Sequence, residues 1–446
     1  MLRRFYKSLF ISRRWYWLFV SVILLFILSF GISLLFTIAQ LLLLFVLVTS
    51  MLDYLILFTR KDPVLVQREL SDRFSNGDQN PVKLVVINQY PFRIRYRIID
   101  ELPDQFQRRD FRLDGELRPG ETTELFYELR PTERGEYIFH DINVFIKSPF
   151  GLVVRRKILP SKKMVKVLPS YLALRQFELL AASHNLAESG SKRVRRQGQS
   201  LEFEQIKEYV IGDDIRNINW KATARKGGQL MVNNYTDEKS QQVYCVVDKG
   251  RVMKMPFDGM SLLDYAINAT LILSRVALIK QDKAGIVTFG DQIGTYLPAG
   301  RRAMQMTNIL EILYNQQTRF HETDYEKLHA LVRTRITQRS LIVLFTNFES
   351  LSGLKRELPS IRAIARNHLL LVVFFENTGL KQIQTSGTED IEGLYIKTIA
   401  EKFAYEKRLI VKELNQHGIL TILTAPENLT VQTVNKYLEI KARQAI

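Results

Sequence analysis

The chain has 446 residues, with 63 Lys and Arg against 46 Asp and Glu, for a formal charge of +17. That length accommodates two or three domains, and the positive balance favours a negatively charged partner: nucleic acid, anionic lipid or an acidic protein face. A single cysteine, Cys245, excludes an internal disulfide and fits a reducing compartment.

From Trp15 to Phe58, 44 residues carry one charged side chain, Asp53. As one helix this run would measure about 66 Å, against a hydrocarbon core about 30 Å thick. Two spans are therefore predicted, roughly Tyr16–Phe36 and Ile38–Phe58, with Thr37 and Gln40 as polar hints of a turn and Gly31 nearby. No small-residue cleavage site marks a signal peptide. Arg3, Arg4, Lys7, Arg13 and Arg14 precede the hairpin, and Arg60 and Lys61 follow it. Positive residues stay inside, so both ends are expected in the cytoplasm and the hairpin in the inner membrane. Trp15, Tyr16 and Trp17 would sit at the headgroups. Asp53 lies near the cytoplasmic end, which favours an interfacial acid over a functional intramembrane one.

From Pro63 to about Ser170 short alternating runs are separated by turn residues. Strands are predicted at Val64–Leu70, Val82–Asn88, Ile94–Asp100, Thr122–Leu129, Gly135–Phe139, Ile142–Lys147, Leu152–Arg156 and Met164–Leu168. Breaks are read at Asn76-Gly77-Asp78, Asp114-Gly115, Arg118-Pro119-Gly120 and Ser148-Pro149-Phe150-Gly151. Many short strands with frequent turns imply a β-sandwich. A connector follows: a helix at Tyr171–Ala187, a break at 188–191, and a basic run of Lys192, Arg193, Arg195 and Arg196. No interleaved aromatic accompanies that run, so it reads as solvated or paired with nearby carboxylates, not as a specific nucleic-acid site.

The segment Glu202–Leu230 threads Phe203, Ile206, Tyr209, Val210, Ile211, Ile215, Ile218 and Trp220 through Glu208, Asp213, Asp214, Arg216, Lys221 and Arg225. Buried ions persist only when paired. A packed polar network is therefore expected, clamping one domain to the next, with Trp220 as apolar anchor and Arg216 and Arg225 paired to Glu208, Asp213 or Asp214. Gly212-Asp213-Asp214 reads as a turn and helix cap in preference to a catalytic carboxylate pair.

Glu202, Phe203, Glu208, Tyr209, Gly212, Asp213, Asp214, Arg216, Ile218, Trp220, Ala224 and Arg225 follow one another without gaps in a pattern that closely resembles the signature of the domain of unknown function 58 family. The strings RPTERGEY and SPFGL also resemble that family. The resemblance implies a bacterial membrane-anchored protein with an immunoglobulin-like sandwich and a von Willebrand A-like domain. It assigns no activity.

From Gln241 onward apolar runs alternate with helical patterns. Strands are predicted at Val243–Val247, Ala284–Phe289, Ile293–Leu297, Leu341–Phe345, Leu369–Phe375 and Ile419–Leu423. Helices are predicted at Ser261–Lys280, Arg302–Leu313, Tyr325–Thr337, Leu354–Asn367, Ala400–Gln416 and Leu429–Gln444. This alternation implies a mainly parallel sheet covered on both faces, with its functional crevice beyond the carboxyl ends of the strands. The expected architecture is thus α/β plus all-β: a membrane anchor over 1–62, a sandwich over 63–170, a connector with the signature over 171–240, and a Rossmann-like α/β domain over 241–446.

A von Willebrand A domain that holds Mg²⁺ has Asp-x-Ser-x-Ser after its first strand, a Thr from a later loop and an Asp after the fourth strand. By that resemblance Asp248, Thr323 and Asn347 mark a degenerate site here, with Gly250 and Val252 in place of the serines. Lys249 and Arg251 would bring positive charge close, and Asp324 is a candidate substitute ligand. Hard cations want several oxygens, so no cofactor is expected and Mg²⁺ is disfavoured.

The sequence contains no phosphate loop and no HExxH-type pair, and Cys245 lies in an apolar strand. The favoured function is a non-enzymatic scaffold or adaptor, anchored in the bilayer, that binds a protein partner through the crevice at Asp248, Thr323 and Asn347. The resemblance implies a MoxR-type AAA+ ATPase as that partner. Two alternatives stand: a metal-assisted hydrolase using Asp213, Asp214 and Asp248, and anionic-lipid or nucleic-acid binding through the basic surface. A reporter active only in the cytoplasm should work when fused after Ile446; activity of a periplasm-only reporter there would overturn the topology.

Overall fold

The computed structural model describes residues 8–31, 33–170, 201–237, 240–318, 320–379 and 391–443. The connector helix and basic run expected within 171–200 lie outside them. Two units divide the chain, Met1–Leu168 and Pro169–Ile446.

In the first unit β1 (Leu9–Ile11) leads into helices α1 (Arg13–Leu28) and α2 (Ser33–Phe58). Both helices are long and apolar enough to cross a membrane. They expose Leu24, Ile27, Leu34, Leu41, Phe45 and Met51, as a lipid-facing surface does. The hairpin turns at Ser29–Gly31, earlier than the expected turn beside Thr37. Thr37 lies inside α2. A lone hydroxyl can bond its own helix, so it need not mark a break.

The sheets follow: β2 (Val64–Leu70), β3 (Arg73–Ser75), β4 (Asn80–Asn88), β5 (Ile94–Asp100), β6 (Leu113–Leu117), β7 (Thr122–Leu129), β8 (Gly135–Phe139), β9 (Ile142–Lys147), β10 (Val153–Leu159) and β11 (Lys163–Leu168). They pair as β1-β10-β9-β5-β6, β2-β4-β7 and β3-β11-β8, sandwich-like sheets around one apolar core. Strand β4 shows why alternation is informative: Val82, Leu84 and Val86 are buried while the residues between them are less so. Asp114-Gly115, expected as a break, is instead the middle of β6. Asp114 pairs with Arg97 across the sheet, and a side chain at Gly115 would overlap the Tyr96 ring. Here glycine makes room for a neighbour within a strand.

Within this core Arg68 and Asp100 form a fully buried ion pair. Arg68 also reaches the carbonyls of Ser161 (2.8 Å) and His140 (2.9 Å), and the Tyr127 hydroxyl donates to Asp100 (2.5 Å). With every polar atom partnered, the burial is tolerable.

Asp53 is also fully buried. Its carboxylate accepts from the Ser148 hydroxyl and from the backbone N–H of Leu152 (2.9 Å) and Val153 (2.8 Å). Arg155, next on β10, donates to the Leu57 and Arg60 carbonyls at the end of α2 (2.6 and 2.7 Å) and stacks on Phe58. The Tyr90 hydroxyl bonds Leu57 as well. On the other side β1 pairs antiparallel with Val153–Arg155, and the N–H of Ser12, the cap of α1, donates to Leu152 (3.0 Å). The hairpin is thus seated in the sheets at both ends. Asp53→Ala should leave two buried N–H groups without an acceptor, each at about 1–3 kcal/mol. A clear drop in the melting temperature of the full chain in uncharged detergent is expected; an unchanged melt would show that the carboxylate is not what seats the hairpin.

The second unit begins with a separate two-stranded ribbon, β12 (Leu201–Glu208) and β13 (Met231–Asp237), with α3 (Trp220–Arg225) in the loop between them. Its main sheet contains β14 (Gln242–Asp248), β17 (Lys283–Phe289), β18 (Ile293–Gly300), β19 (Leu341–Phe345), β20 (Leu369–Phe375) and β21 (Leu420–Thr424). A short ribbon, β15 (Pro256–Phe257) with β16 (Met260–Ser261), precedes β17. The strand order is β18-β17-β14-β19-β20-β21, parallel except for the edge strand β18. Helices α4 (Leu262–Ile279), α5 (Gln305–Tyr314) and α9 (Leu429–Ala442) pack on the face of Val243, Cys245 and Val247. Helices α6 (Tyr325–Arg335), α7 (Leu351–Asn367) and α8 (Ile391–Gln416) pack on the face of Tyr244 and Val246. Helix α4 is apolar enough for a span, yet 78% of it is buried in this core. Burial pushes the Cys245 thiol up to about 12, so it stays protonated.

Candidate functional site

Strand β14 ends in Asp248, which is fully buried. One of its oxygens accepts from the Gly250 N–H (2.8 Å) and the Thr323 hydroxyl (2.6 Å), and the other from the Thr346 hydroxyl (2.7 Å). Thr346 in turn shares a hydrogen bond of 2.6 Å with the Tyr325 hydroxyl. Burial raises the Asp248 pKa above its ordinary value, with the Thr323, Gly250 and Thr346 bonds opposing it. A Cβ at Gly250 would overlap the Thr323 hydroxyl, so glycine is what lets that threonine close onto the aspartate.

Asn347 follows directly and is nearly buried. Its amide oxygen accepts from the Lys407 ammonium (2.6 Å), which also holds the Phe348 carbonyl (2.5 Å) and lies over the Phe374 ring. Asp324 caps α6 through the Lys327 N–H (3.0 Å) and pairs with the Lys327 ammonium (3.1 Å). The Lys249 ammonium nitrogen lies beside Gly294, 2.8 Å from where a Cβ there would stand. Arg251 does face the crevice.

These donors do not suit a divalent ion. Both Asp248 oxygens are engaged by protein hydrogens, and the Asn347 oxygen is engaged by a cation. Among the described residues no group of three or more His, Cys, Asp or Glu could hold a metal. Asp213, Asp214 and Asp248 therefore do not converge as the hydrolase alternative requires.

Above Asp248 opens a cavity of about 380 Å³, lined by Arg251, Thr323, Asn347, Phe348, Ser350 and Arg356 together with Glu322, Glu349 and Glu357. Arg356 pairs with Glu357 (2.7 Å) and Glu322 (3.3 Å), and Arg251 lies 3.9 Å from Glu322. The rim is a mixed-charge surface at the carboxyl ends of the strands. Asp248, Thr323 and Asn347, singled out in the sequence, do come together here. Thr346, Tyr325 and Lys407 were missed. Thr346 could have been found as the polar residue that ends an unbroken apolar strand. Lys407 could have been found as a charge on the stripe of Ala400, Ile410 and Leu414 that α8 buries.

The signature block is organised differently from expectation. Asp213 bonds the Lys207 ammonium (2.8 Å) and the Val210 N–H (3.0 Å), and the first of these mainly holds its pKa below the usual value. Asp214 caps the short helical turn Ile215–Asn217. The turn-and-cap reading thus holds. The pairing does not: Glu208 approaches Lys226 (3.5 Å), and no carboxylate pairs with Arg216 or Arg225 among the described residues. Trp220 is 69% exposed and Ile211 96% exposed. Lys207 and Lys226 thus meet the acids, and the arginines and the apolar loop lie on the surface. Glu202 and Phe203 lie on β12, and Tyr209 joins it to Leu230 through its N–H (2.8 Å).

Residues 205–387 match the family model described as protein of unknown function DUF58, so a domain of that family runs from β12 through β20. The uncharacterized protein YeaD of Bacillus subtilis (strain 168) is 23% identical over 181 residues, 39% of this chain and 44% of that protein. The chain thus matches less than half the length of that relative. The conserved hypothetical protein BatB from Bacteroides thetaiotaomicron aligns over 46% of this chain and 100% of its own, at 13% identity and a TM-score of 0.30. The CARDB domain of the PF1109 protein from Pyrococcus furiosus aligns over 24% of this chain and 87% of its own, at 16% identity and a TM-score of 0.17.

Burial pushes Lys407 down to about 8, partly opposed by Glu349, from 10.5 in the unfolded chain. The unfolded state then holds more protons between these values. The cost of burying the charge is complete below about pH 8 and is relieved as pH rises toward 10.5. Relative to Lys407→Met, the parent should gain stability across that window by on the order of 1 kcal/mol per pH unit. Denaturant melts of both proteins across the window measure this; a constant difference would place the lysine in solvent.

Proposed function

We propose that this protein is a membrane-anchored scaffold or adaptor. Its hairpin sits in the inner membrane, its two units lie in the cytoplasm, and a von Willebrand A-like domain binds a protein partner at the crevice above Asp248. The observation that carries this reading is the state of Asp248: a buried carboxylate at the strand ends, spent on Gly250, Thr323 and Thr346, beneath an open cavity with a mixed-charge rim. Among the described residues that line it, no nucleophile stands beside a base. Rim charges of both signs suit recognition of a charged protein face and its orientation. The resemblance to the DUF58 family adds the candidate partner, a MoxR-type AAA+ ATPase, and the positive residues flanking the hairpin support the cytoplasmic side.

The test is co-purification of the full chain in detergent with that ATPase. Arg251→Glu combined with Arg356→Glu reverses the rim while leaving the Asp248 network intact. Retention should fall by roughly tenfold or more, as for loss of close charge pairs at an interface, with melting unchanged. Equal retention by the reversed variant would move the partner surface away from this crevice.

A further inference from the structure

A second concavity lies at the opposite edge of the same sheet. It has a volume of about 450 Å³ and forms where β14 and β17 begin and β18 ends. Tyr244 of β14 lines this opening and Asp248, four residues further along the strand, lies at the other, about 13 Å away. The walls carry Lys283, Arg301, Arg302 and Arg335, and among the described residues no acidic one lines the groove. Among the described residues none of these three arginines pairs with a carboxylate. Cations gathered in a concave wall repel one another and raise the local potential, and an anion relieves both effects.

The floor is built, not incidental. Tyr244 is nearly buried, and its hydroxyl accepts from the Ala299 N–H (3.1 Å). The Tyr296 ring lies parallel to it at 6.3 Å, and its hydroxyl donates to the Arg335 carbonyl (3.3 Å). Buried Gln305 ties the end of β18 to β17 by donating to the carbonyls of Pro298 (3.0 Å) and Ala284 (2.7 Å). Arg301 and Arg302 leave the strand at that pinned point, so their backbones are fixed while the guanidinium groups stay exposed.

We infer that this groove is a binding site for a phosphate group, carried by a soluble phosphorylated molecule or by a lipid headgroup. A guanidinium offers paired donors that match phosphate oxygens, and several of them around one concavity match its multiple charge better than that of a single carboxylate. The site is independent of the crevice at Asp248, and neither proposal needs the other.

The experiment uses the full chain in uncharged detergent micelles and three probes: inorganic pyrophosphate, short-chain phosphatidic acid and poly-glutamate. Arg302→Glu with Arg335→Glu inverts the groove, and Lys355→Glu with Arg362→Glu makes the same charge change on α7. Pyrophosphate or phosphatidic acid should bind the parent in a salt-sensitive manner. Affinity should fall by roughly tenfold or more in the groove variant only, as expected when charged hydrogen bonds are lost. Pyrophosphate binding names a soluble ligand, and binding of phosphatidic acid alone names a headgroup. The inference is overturned if neither binds, if both variants weaken binding equally, or if poly-glutamate binds more tightly than either phosphate probe.

Discussion

The first unit depends on one acidic residue that the bilayer segment contributes to the sheets. Asp53 fills the turn before β10, and Arg155 on β10 fills the end of α2. Each group satisfies what the other element leaves open: the turn has N–H groups without strand partners, and a helix ends in carbonyls without donors. The exchange is buried, so losing either side leaves charge or dipole uncompensated. The hairpin is accordingly part of the fold and not a tether. Helix α2, at 26 residues, exceeds the roughly 20 needed to span, and its surplus lies where Asp53 and Leu57 enter the core.

The same accounting of donors and acceptors describes the crevice of the second unit. A cation site requires oxygens whose lone pairs are free. At Asp248 those lone pairs point at an N–H and two hydroxyls, and at Asn347 the oxygen faces an ammonium. Lys407 supplies positive charge covalently beside the Asn347 oxygen. The strand ends are therefore tied together by hydrogen bonds between protein groups. What remains open to solvent is the rim, with Arg251, Glu322 and Arg356.

Much of this was legible in the sequence because burial imposes a period. Strands such as Val64–Leu70, Thr122–Leu129 and Ile142–Lys147, and the sheet around Cys245, announce themselves by alternation or by unbroken apolar runs. The meeting of Asp248, Thr323 and Asn347 was expected from the resemblance to the von Willebrand A motif, and the rule that parallel strands end on one side placed only the crevice. Features that depend on a distant neighbour were not legible. Gly115 looks like a turn until Tyr96 is seen to need its space. The arginines of the signature looked like partners for its acids, but the lysines at 207 and 226 are closer. Charge pattern gives the inventory of ions, and only backbone geometry decides which of them meet.

The seating of the hairpin also makes the first unit a lever. Helices α1 and α2 enter sheets that share one core, and β1 and the Asp53 turn hold them from two directions. A bilayer thicker or thinner than the apolar length of these helices asks them to tilt. Because they cannot pivot at the socket without breaking buried hydrogen bonds, the tilt passes to the sheets as a rigid rotation. Mismatch costs only fractions of a kcal/mol per Å, well below the roughly 3–5 kcal/mol for breaking a buried charge contact. For a hairpin that spans a bilayer, lipid thickness would then act on the angle at which these sheets stand.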